Sequence, residues 1–590
     1  MKKEKTMQIH NQNQNEPLLS FEFASSTGEI KPIIFSQPLK VMIAYTLEEV
    51  LPCFQMIQEA IRKGYYAAGY LSYESAPAFD SAFRVNEEST MPLLWFAIFN
   101  EPQTGTLNSG GTYKHSNWIP SVSLDEYDAS IQYIKHRIEA GDTYQANYTI
   151  RLHSEFEGDD ISFFNHLKKA QASNYCAYLN TGDHRILSAS PELFFHLKGN
   201  QITTRPMKGT IKRGNSYSED KKNANWLYHS EKNRAENVMI VDLLRNDLGM
   251  IAQPGTVEVP KLFEMEHYPT VHQMTSTITA KLSENIELVD IFKALFPCGS
   301  ITGAPKIKTM EIISELETTP RNVYCGAIGY ITPNQEAIFN VPIRTVVIEQ
   351  KTGIATYGVG GGITWDSTTE GEYHEILSKA KLLEVNRPEF QLLESLLLHD
   401  GELFLLDEHL NRLSDSAQYF GFPFNPEPLK QSMLQLADQY STGHFKVRLL
   451  LDKTGEFKLE AQPISEPDRP LKVALADESM DKNNPFFYHK TTNRAMYSYF
   501  QQKYPHVYDV LLWNENGEIT EFTNGNVVLE MDGYKWTPPI SSGLLAGTFR
   551  ESLLNDEEIH ERVLTVEDLK KCTKIWFINS VRRWLEVEFI

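Results

Sequence analysis

No run of about eighteen apolar residues occurs anywhere in the 590-residue chain, so no membrane-spanning helix is expected. Cysteine is scarce. The five thiols, at positions 53, 176, 298, 325 and 572, form no Cys-x-x-Cys pair. They read as scattered, reduced thiols of a cytoplasmic protein rather than a disulfide framework. Positive charge is in deficit: 56 Lys and Arg against 77 Asp and Glu leave a net charge of −21. That argues against a nucleic-acid or anionic-membrane surface. It does not bar an anionic small molecule, because a local arginine or a metal ion decides that. The start, Met1-Lys2-Lys3-Glu4-Lys5 followed by Gln/Asn-rich sequence, has no apolar stretch of the signal-peptide kind. Residues 1–15 are expected to be a disordered tail.

What is present is the balance of an ordinary globular protein, 41% hydrophobic and 23% charged. The chain is too long for one core, and length alone suggests about four domains. No long Gly/Ser/Pro linker and no internal repeat is visible. The best boundary is Val385-Asn386-Arg387-Pro388-Glu389. A helical pattern over 373–383 precedes it, and proline disfavours continuing that helix. A fresh helix or strand starts at Phe390. The expectation is a first domain over 16–387 and a second over 390–590.

Residues 185–190, 328–331 and 337–348 read as strands, and 235–244 has apolar residues at helical spacing. The order is irregular rather than strictly alternating, so the first domain is expected to be α+β, a layered sheet and helix fold. The second part likewise mixes a β run over 445–451 with a helix over 429–439.

Several residues stand out for chemistry. Glu372, Glu375 and Lys379 share a face if 370–383 is helical. From spacing alone they are a solvated Glu–Lys pair. With Glu236 brought opposite, three carboxylates would offer hard oxygens to Mg²⁺. Tyr357-Gly358-Val359-Gly360-Gly361-Gly362-Ile363 is by default a tight turn. It does not match the dinucleotide pattern. Lys208, taken singly, is a lysine in a Pro/Gly turn.

Four stretches taken together change these readings. They are Ala189-Ser190-Pro191-Glu192, Thr204-Arg205-Pro206-Met207-Lys208-Gly209-Thr210, the run from Arg234 to Gly249, and Gly299-Ser300-Ile301-Thr302-Gly303-Ala304-Pro305-Lys306. The first part resembles the chorismate-utilising enzymes. Lysine in the Pro-x-Lys-Gly-Thr stretch is similar to the aminodeoxychorismate synthase component I branch, where anthranilate synthases have alanine. The resemblance implies that Glu236, Glu372 and Glu375 hold Mg²⁺. It implies substrate contacts from Gln145, His272, Thr302, Tyr324, Arg344, Lys379 and the backbone of Gly360, Gly361 and Gly362. It makes Glu192 the general acid for the departing C4 hydroxyl and Lys208 the nucleophile that adds at C2. Ammonia then adds at C4 and expels the lysine. Gln145 stands where water-using relatives carry lysine, and glutamine cannot activate water. Two departures are Asn233, where relatives often have an acid, and Cys298, where they have glycine. No cysteine lies in a Gly-x-Cys-x-Gly elbow, so ammonia is expected from a separate glutamine amidotransferase subunit.

The second part resembles pyridoxal-phosphate enzymes of fold type IV, an α/β architecture shared with branched-chain aminotransferases. Within that group it is similar to aminodeoxychorismate lyases. The segments that carry the resemblance are Asp407-Glu408-His409-Leu410-Asn411-Arg412-Leu413, Phe487-Tyr488-His489-Lys490-Thr491-Thr492-Asn493-Arg494, Ile519-Thr520-Glu521-Phe522-Thr523-Asn524-Gly525-Asn526 and Leu544-Leu545-Ala546-Gly547-Thr548-Phe549-Arg550. It implies Lys490 as the cofactor lysine and later proton carrier, with Arg412, Thr548 and Phe549 at the phosphate. Glu521 would face the pyridinium nitrogen, and a homodimer would form through this domain. The two resemblances together imply 4-aminobenzoate formation from chorismate. The alternatives are an anthranilate-type synthase joined to an aminotransferase, or a synthase with a non-catalytic dimerisation module.

Overall fold

A computed structural model describes residues 7–8, 16–25, 27–89, 91–385 and 387–590. The tail expected over 1–15 lies outside the described residues, apart from Met7–Gln8. That pair forms a short parallel bridge with Leu107–Asn108. The chain divides into two compact units, residues 1–212 with 225–387, and residues 213–224 with 388–590. The first boundary expected from sequence does not separate 213–224, yet this segment packs in the second unit. There Arg213 Nε and Nη2 bind Asp220 at 2.6 and 2.7 Å, and Nη2 also donates to the Tyr419 carbonyl at 2.7 Å.

The first unit is a helix–sheet–sheet–helix stack. One mixed-length sheet runs from Ile119–Pro120 through Gln145–Gly158, Ile354–Ile363, Thr345–Glu349, His184–Ser190 and Tyr175–Asn180 to Leu18–Phe23 and Ile33–Ser36. The other runs from Met207–Lys212 through Val271–Lys281, Gln201–Arg205, Leu193–Lys198, Ala337–Asn340 and Ala327–Ile331 to Tyr66–Leu71. Alternate residues of each strand point into a shared core. Leu19, Phe21, Ala177 and Ile186 of the first sheet meet Tyr70, Trp95, Ile328 and Ile338 of the second. The outer faces are covered by helices, Leu124–Glu139 and Asp160–Gln171 on one side. On the other side lie Leu47–Arg62, Glu231–Gly249 and Leu288–Leu295.

The strand expected over 337–348 is two strands, Ala337–Asn340 and Thr345–Glu349, which belong to different sheets. Pro342 has no N–H for a ladder, and Arg344 holds a left-handed φ of 53°, so the chain turns from one sheet into the other there.

A buried charge cluster braces this unit. Glu317 accepts from Arg321 Nη2 at 2.6 Å, Arg151 Nη2 at 3.2 Å and the Thr149 amide at 2.9 Å. All three charged side chains are almost fully buried. Removing one partner would leave two guanidiniums uncompensated. Glu317→Ala should therefore lower stability by about 3–5 kcal/mol, read as an earlier urea midpoint for the first unfolding transition.

The second unit has a four-stranded antiparallel sheet, with Leu392–His399, His444–Leu451 and Phe457–Pro463 in succession. The segment expected as helix or strand from Phe390 is thus a strand. Its apolar face packs on the helices Leu406–Phe420 and Pro426–Asp438. An eight-stranded mixed sheet follows, including Asp509–Trp513, Ile519–Phe522, Gly525–Met531 and Lys574–Asn579. Among the described residues, no helix is long and apolar enough to cross a membrane.

Candidate active sites

The first unit holds a cavity of about 320 Å³. Lys208, on the strand Met207–Lys212, is one wall. Glu236 comes from the helix Glu231–Gly249, which Ser230 caps by accepting from the Asn233 amide. Glu372, Glu375 and Lys379 come from the helix Thr369–Ala380, capped in the same way by Thr368. Glu192, Tyr324, Arg344 and residues 358–362 also line it.

Burial sets the protonation of the two reactive groups. Glu192 is buried, and loss of solvation pushes its carboxyl up to about 7. The Ser300 hydroxyl, donating at 2.5 Å, and Lys208 oppose that shift. Desolvation also lowers the Lys208 pKa, with the carboxylates of Glu236, Glu375 and Glu372 pulling the other way. A proton-holding acid and a deprotonatable amine therefore share one cavity.

The glycine-rich segment is not a turn. It is the strand Ile354–Ile363, paired along its length with Gln145–Gly158. On its other edge Thr345–Glu349 pairs only as far as Tyr357. Beyond that residue the edge faces the cavity. A Cβ on Gly362 would lie 2.0 Å from Gln145 Nε2 and 2.3 Å from Lys208 Nζ. Glycine is needed at 362 because these two groups converge on it. Gln145 does not line the open cavity, but its amide oxygen and nitrogen are buried without partners and point to this spot.

Glu372 accepts from Ser367 at 2.6 Å, and Glu375 is 2.6 Å from Lys379 Nζ, which also donates to the Gly360 carbonyl. Burial raises the Glu372 pKa, while Lys379 lowers that of Glu375. The donor chemistry fits Mg²⁺, since Glu236, Glu372 and Glu375 bring carboxylate oxygens to one cavity. They are not drawn into a closed coordination sphere, and among the described residues no three acidic, His or Cys side chains are.

Two expected residues sit elsewhere. His272 is fully buried with Nδ1 2.7 Å from His267 Nδ1, and its neighbour Gln273 lines the cavity instead. On a strand, one residue of offset changes the face. Thr302 is turned into its own loop, its hydroxyl donating to the Cys298 carbonyl at 3.2 Å, while Ser300 and Ile301 reach the cavity. Asp247 and Lys306, from two of the sequence motifs, pair at 2.8 Å and tie the helix Glu231–Gly249 to the start of the helix Lys306–Leu316. Cys298 is buried beside Ser300, 3.2 Å between Sγ and Oγ.

The second unit holds a cavity of about 610 Å³ lined by Arg412, Lys490, Glu521, Gly547 and Thr548. Burial, then Arg412, lowers the Lys490 amine to about 7. Burial raises Glu521 to about 7, and it accepts from the Tyr497 hydroxyl at 2.6 Å and the Leu545 amide at 3.2 Å. Arg412 is clamped by Glu394 at 2.9 and 2.6 Å and donates to the Ala546 carbonyl at 2.9 Å. Glu394 also binds His409 Nδ1 at 2.6 Å, and His409 Nε2 lies 3.0 Å from the Thr548 hydroxyl. Despite full burial, Arg412 and His409 hold Glu394 down at about 2. The helix Thr548–Asn555 starts at Gly547, where a Cβ would lie 2.0 Å from Asn526 Oδ1. Its free first-turn N–H groups suit a phosphate. Phe549 offers only that backbone group, because its ring packs in an apolar cluster with Phe404 and Trp584. An amine, a cation with helix N–H groups, and a proton-holding carboxyl around one cavity fit pyridoxal phosphate.

His409 was legible in principle, three residues before Arg412 on one helix face. Glu394 had no local signal, since only tertiary packing brings it there.

Sheets stacked between helices, with a carboxylate-rich cavity and a half-buried lysine, define a layered α+β enzyme, followed by a lysine-bearing cofactor domain. A profile of chorismate binding enzymes matches residues 103–384, and one of class IV amino-transferases matches 391–590. Aminodeoxychorismate synthase component 1 of Salmonella typhimurium is 44% identical over 264 residues, 45% of this chain and 58% of that protein. Anthranilate synthase component 1 of Methanothermobacter marburgensis is 35% identical over 340 residues, 53% of this chain and 73% of that protein. The crystal structure of anthranilate synthase component I from Streptococcus pneumoniae is 23% identical with a TM-score of 0.50, covering 65% of this chain and 95% of that one. That likeness concerns the fold alone. The chain belongs to the chorismate binding enzyme family and carries a class IV amino-transferase domain of fold type IV after it.

Proposed function

We propose that the chain is a bifunctional enzyme of 4-aminobenzoate formation. The first unit aminates chorismate at C4, and the second eliminates pyruvate from the resulting 4-amino-4-deoxychorismate. The observation that carries this reading is Lys208, half-buried with its pKa lowered by desolvation, in the same cavity as the buried Glu192.

Glu192, protonated near neutral pH, donates to the leaving C4 hydroxyl. Lys208, neutral, adds at C2, and ammonia later displaces it. Arg344, which lines the cavity and is anchored through Nη1 to the Lys379 carbonyl, meets a substrate carboxylate. Glu236, Glu372 and Glu375 would hold Mg²⁺, which supplies charge neutralisation for the ring carboxylate. In the second unit Arg412 and the Gly547–Thr548 turn would hold the phosphate of pyridoxal phosphate, which supplies an electron sink. Lys490 would move the substrate proton, and Glu521, its carboxyl raised to about 7, would hold a proton toward the cofactor's ring nitrogen. Ammonia comes from a separate glutaminase subunit, in keeping with relatives named component 1. A cytoplasmic location and a homodimer through the second unit belong to the same reading.

The pH dependence has a definite sign. Lys208 must be neutral, so the rate falls as pH drops through its lowered pKa. Glu192 must be protonated, so the rate also falls as pH rises above about 7. A bell in kcat/KM is expected, and Glu192→Gln should remove the alkaline limb and cost about 10²–10⁴-fold. An unchanged alkaline limb in that variant contradicts the acid role.

Chelation separates the two steps. EDTA should stop chorismate consumption and Mg²⁺ restore it, while pyruvate release from isolated aminodeoxychorismate continues. Full chorismate turnover in metal-free buffer would reduce the three glutamates to charged cavity lining. The aminotransferase alternative is tested by an amino acid with 2-oxoglutarate, which should not turn over.

A further inference from the structure

The second cavity contains more positive charge than its cofactor needs. Lys446 and Arg448 lie two apart on the strand His444–Leu451, so they share a face, while Val447, Leu449 and Leu451 are buried on the other. Both line the cavity, and so do Arg494 and Arg582. Arg494 Nη2 donates to the Thr523 carbonyl at 2.6 Å and to Asn524 Oδ1 at 3.1 Å, and its guanidinium lies 4.6 Å from the Tyr497 ring centroid. Arg582 donates to the Ser465 carbonyl. None of these partners is a carboxylate. Glu460, opposite Arg448 across the strand pair, is 2.6 Å from Lys458. The two acids that line the cavity are committed, Asp509 to Thr523 and Asn524, and Glu521 to Tyr497. After burial, the charges of Arg448, Arg494 and Arg582 are what depress the Lys446 pKa.

Four cations crowd one cavity in a chain of net charge −21 and repel one another. Glu460 and Glu521 feel the charges of Arg448 and Arg494, but among the described residues none of the four cations is closed into an ion pair. Arg412 stands apart from them, already oriented by Glu394 and Ala546 beside Lys490. We propose that Lys446, Arg448, Arg494 and Arg582 form a carboxylate-recognition face that selects a dicarboxylate amine over a monocarboxylate amino acid. This rests on the lyase reading above, in which the substrate carries two carboxylates, one on the ring and one on the enolpyruvyl group. A cationic wall reads both, and charge-assisted guanidinium contacts give the discrimination.

The test uses cofactor-loaded full-length protein with two unreactive probes, isophthalate and benzoate. Pyruvate release from isolated aminodeoxychorismate is followed, and probe binding is followed separately by the cofactor's visible absorbance. Isophthalate should bind at least about tenfold more tightly than benzoate. Single Lys446→Gln, Arg448→Gln, Arg494→Gln and Arg582→Gln variants should narrow that preference. They should also raise KM by about tenfold, more than they lower kcat, while the cofactor's absorbance is kept. Equal binding of the two probes, or four variants with unchanged KM and preference, overturns the proposal. If no pyruvate is released but an amino acid is transaminated, the lyase reading fails instead. The isophthalate preference, read by absorbance, then still decides whether the cationic face recognises dicarboxylates.

Discussion

With Lys208 replaced by alanine, C4 amination of chorismate should fall by about three orders of magnitude or more, the scale on which losing a covalent nucleophile is felt. Lys208 is half-buried on the strand Met207–Lys212, its pKa is lowered by desolvation, and its Nζ converges with the Gln145 amide on the bare backbone of Gly362. Alanine leaves the cavity and its carboxylates in place, so substrate should still bind. Amination can then be diverted, and anthranilate is the product to look for. The measurement is aminodeoxychorismate formation with ammonia and Mg²⁺, and a wild-type rate removes the covalent role.

Replacing Lys490 with alanine should separate the halves. The cofactor's visible absorbance at its protein lysine should disappear, and pyruvate release should fall below detection. Chorismate consumption should continue, so aminodeoxychorismate should accumulate. The reason is compositional: the first cavity is lined by residues of one unit and the second by residues of the other, with none shared. 4-Aminobenzoate at the wild-type rate would show that the C-terminal unit is not the lyase. A halt in chorismate consumption by folded protein would show that the two reactions are coupled.

The sequence made some of this legible and hid the rest for physical reasons. Helical spacing placed Glu372, Glu375 and Lys379 on one face, but spacing alone cannot tell a solvated pair from a cavity wall; the partner Glu236 arrives from a helix far away in sequence. The glycines of 358–362 look like a turn because glycine permits one. They form a strand through the ladder with Gln145–Gly158, and glycine is required at 358 and 362 because Tyr324, Gln145 and Lys208 pack where a Cβ would sit. His272 is packed inside while its neighbour Gln273 lines the cavity, because successive residues of a strand face opposite ways. The Glu394–His409–Arg412–Thr548 network joins residues up to 154 positions apart, and no local pattern signals it. The raised pKa of Glu192 and the lowered pKa of Lys208 are properties of burial, which the residue names do not carry.

The most direct measurement is product identification from one mixture: purified chain, chorismate, ammonia, Mg²⁺ and pyridoxal phosphate, resolved by chromatography against 4-aminobenzoate and anthranilate standards. The account predicts 4-aminobenzoate with one pyruvate released per molecule formed. Anthranilate as the aromatic product would contradict it.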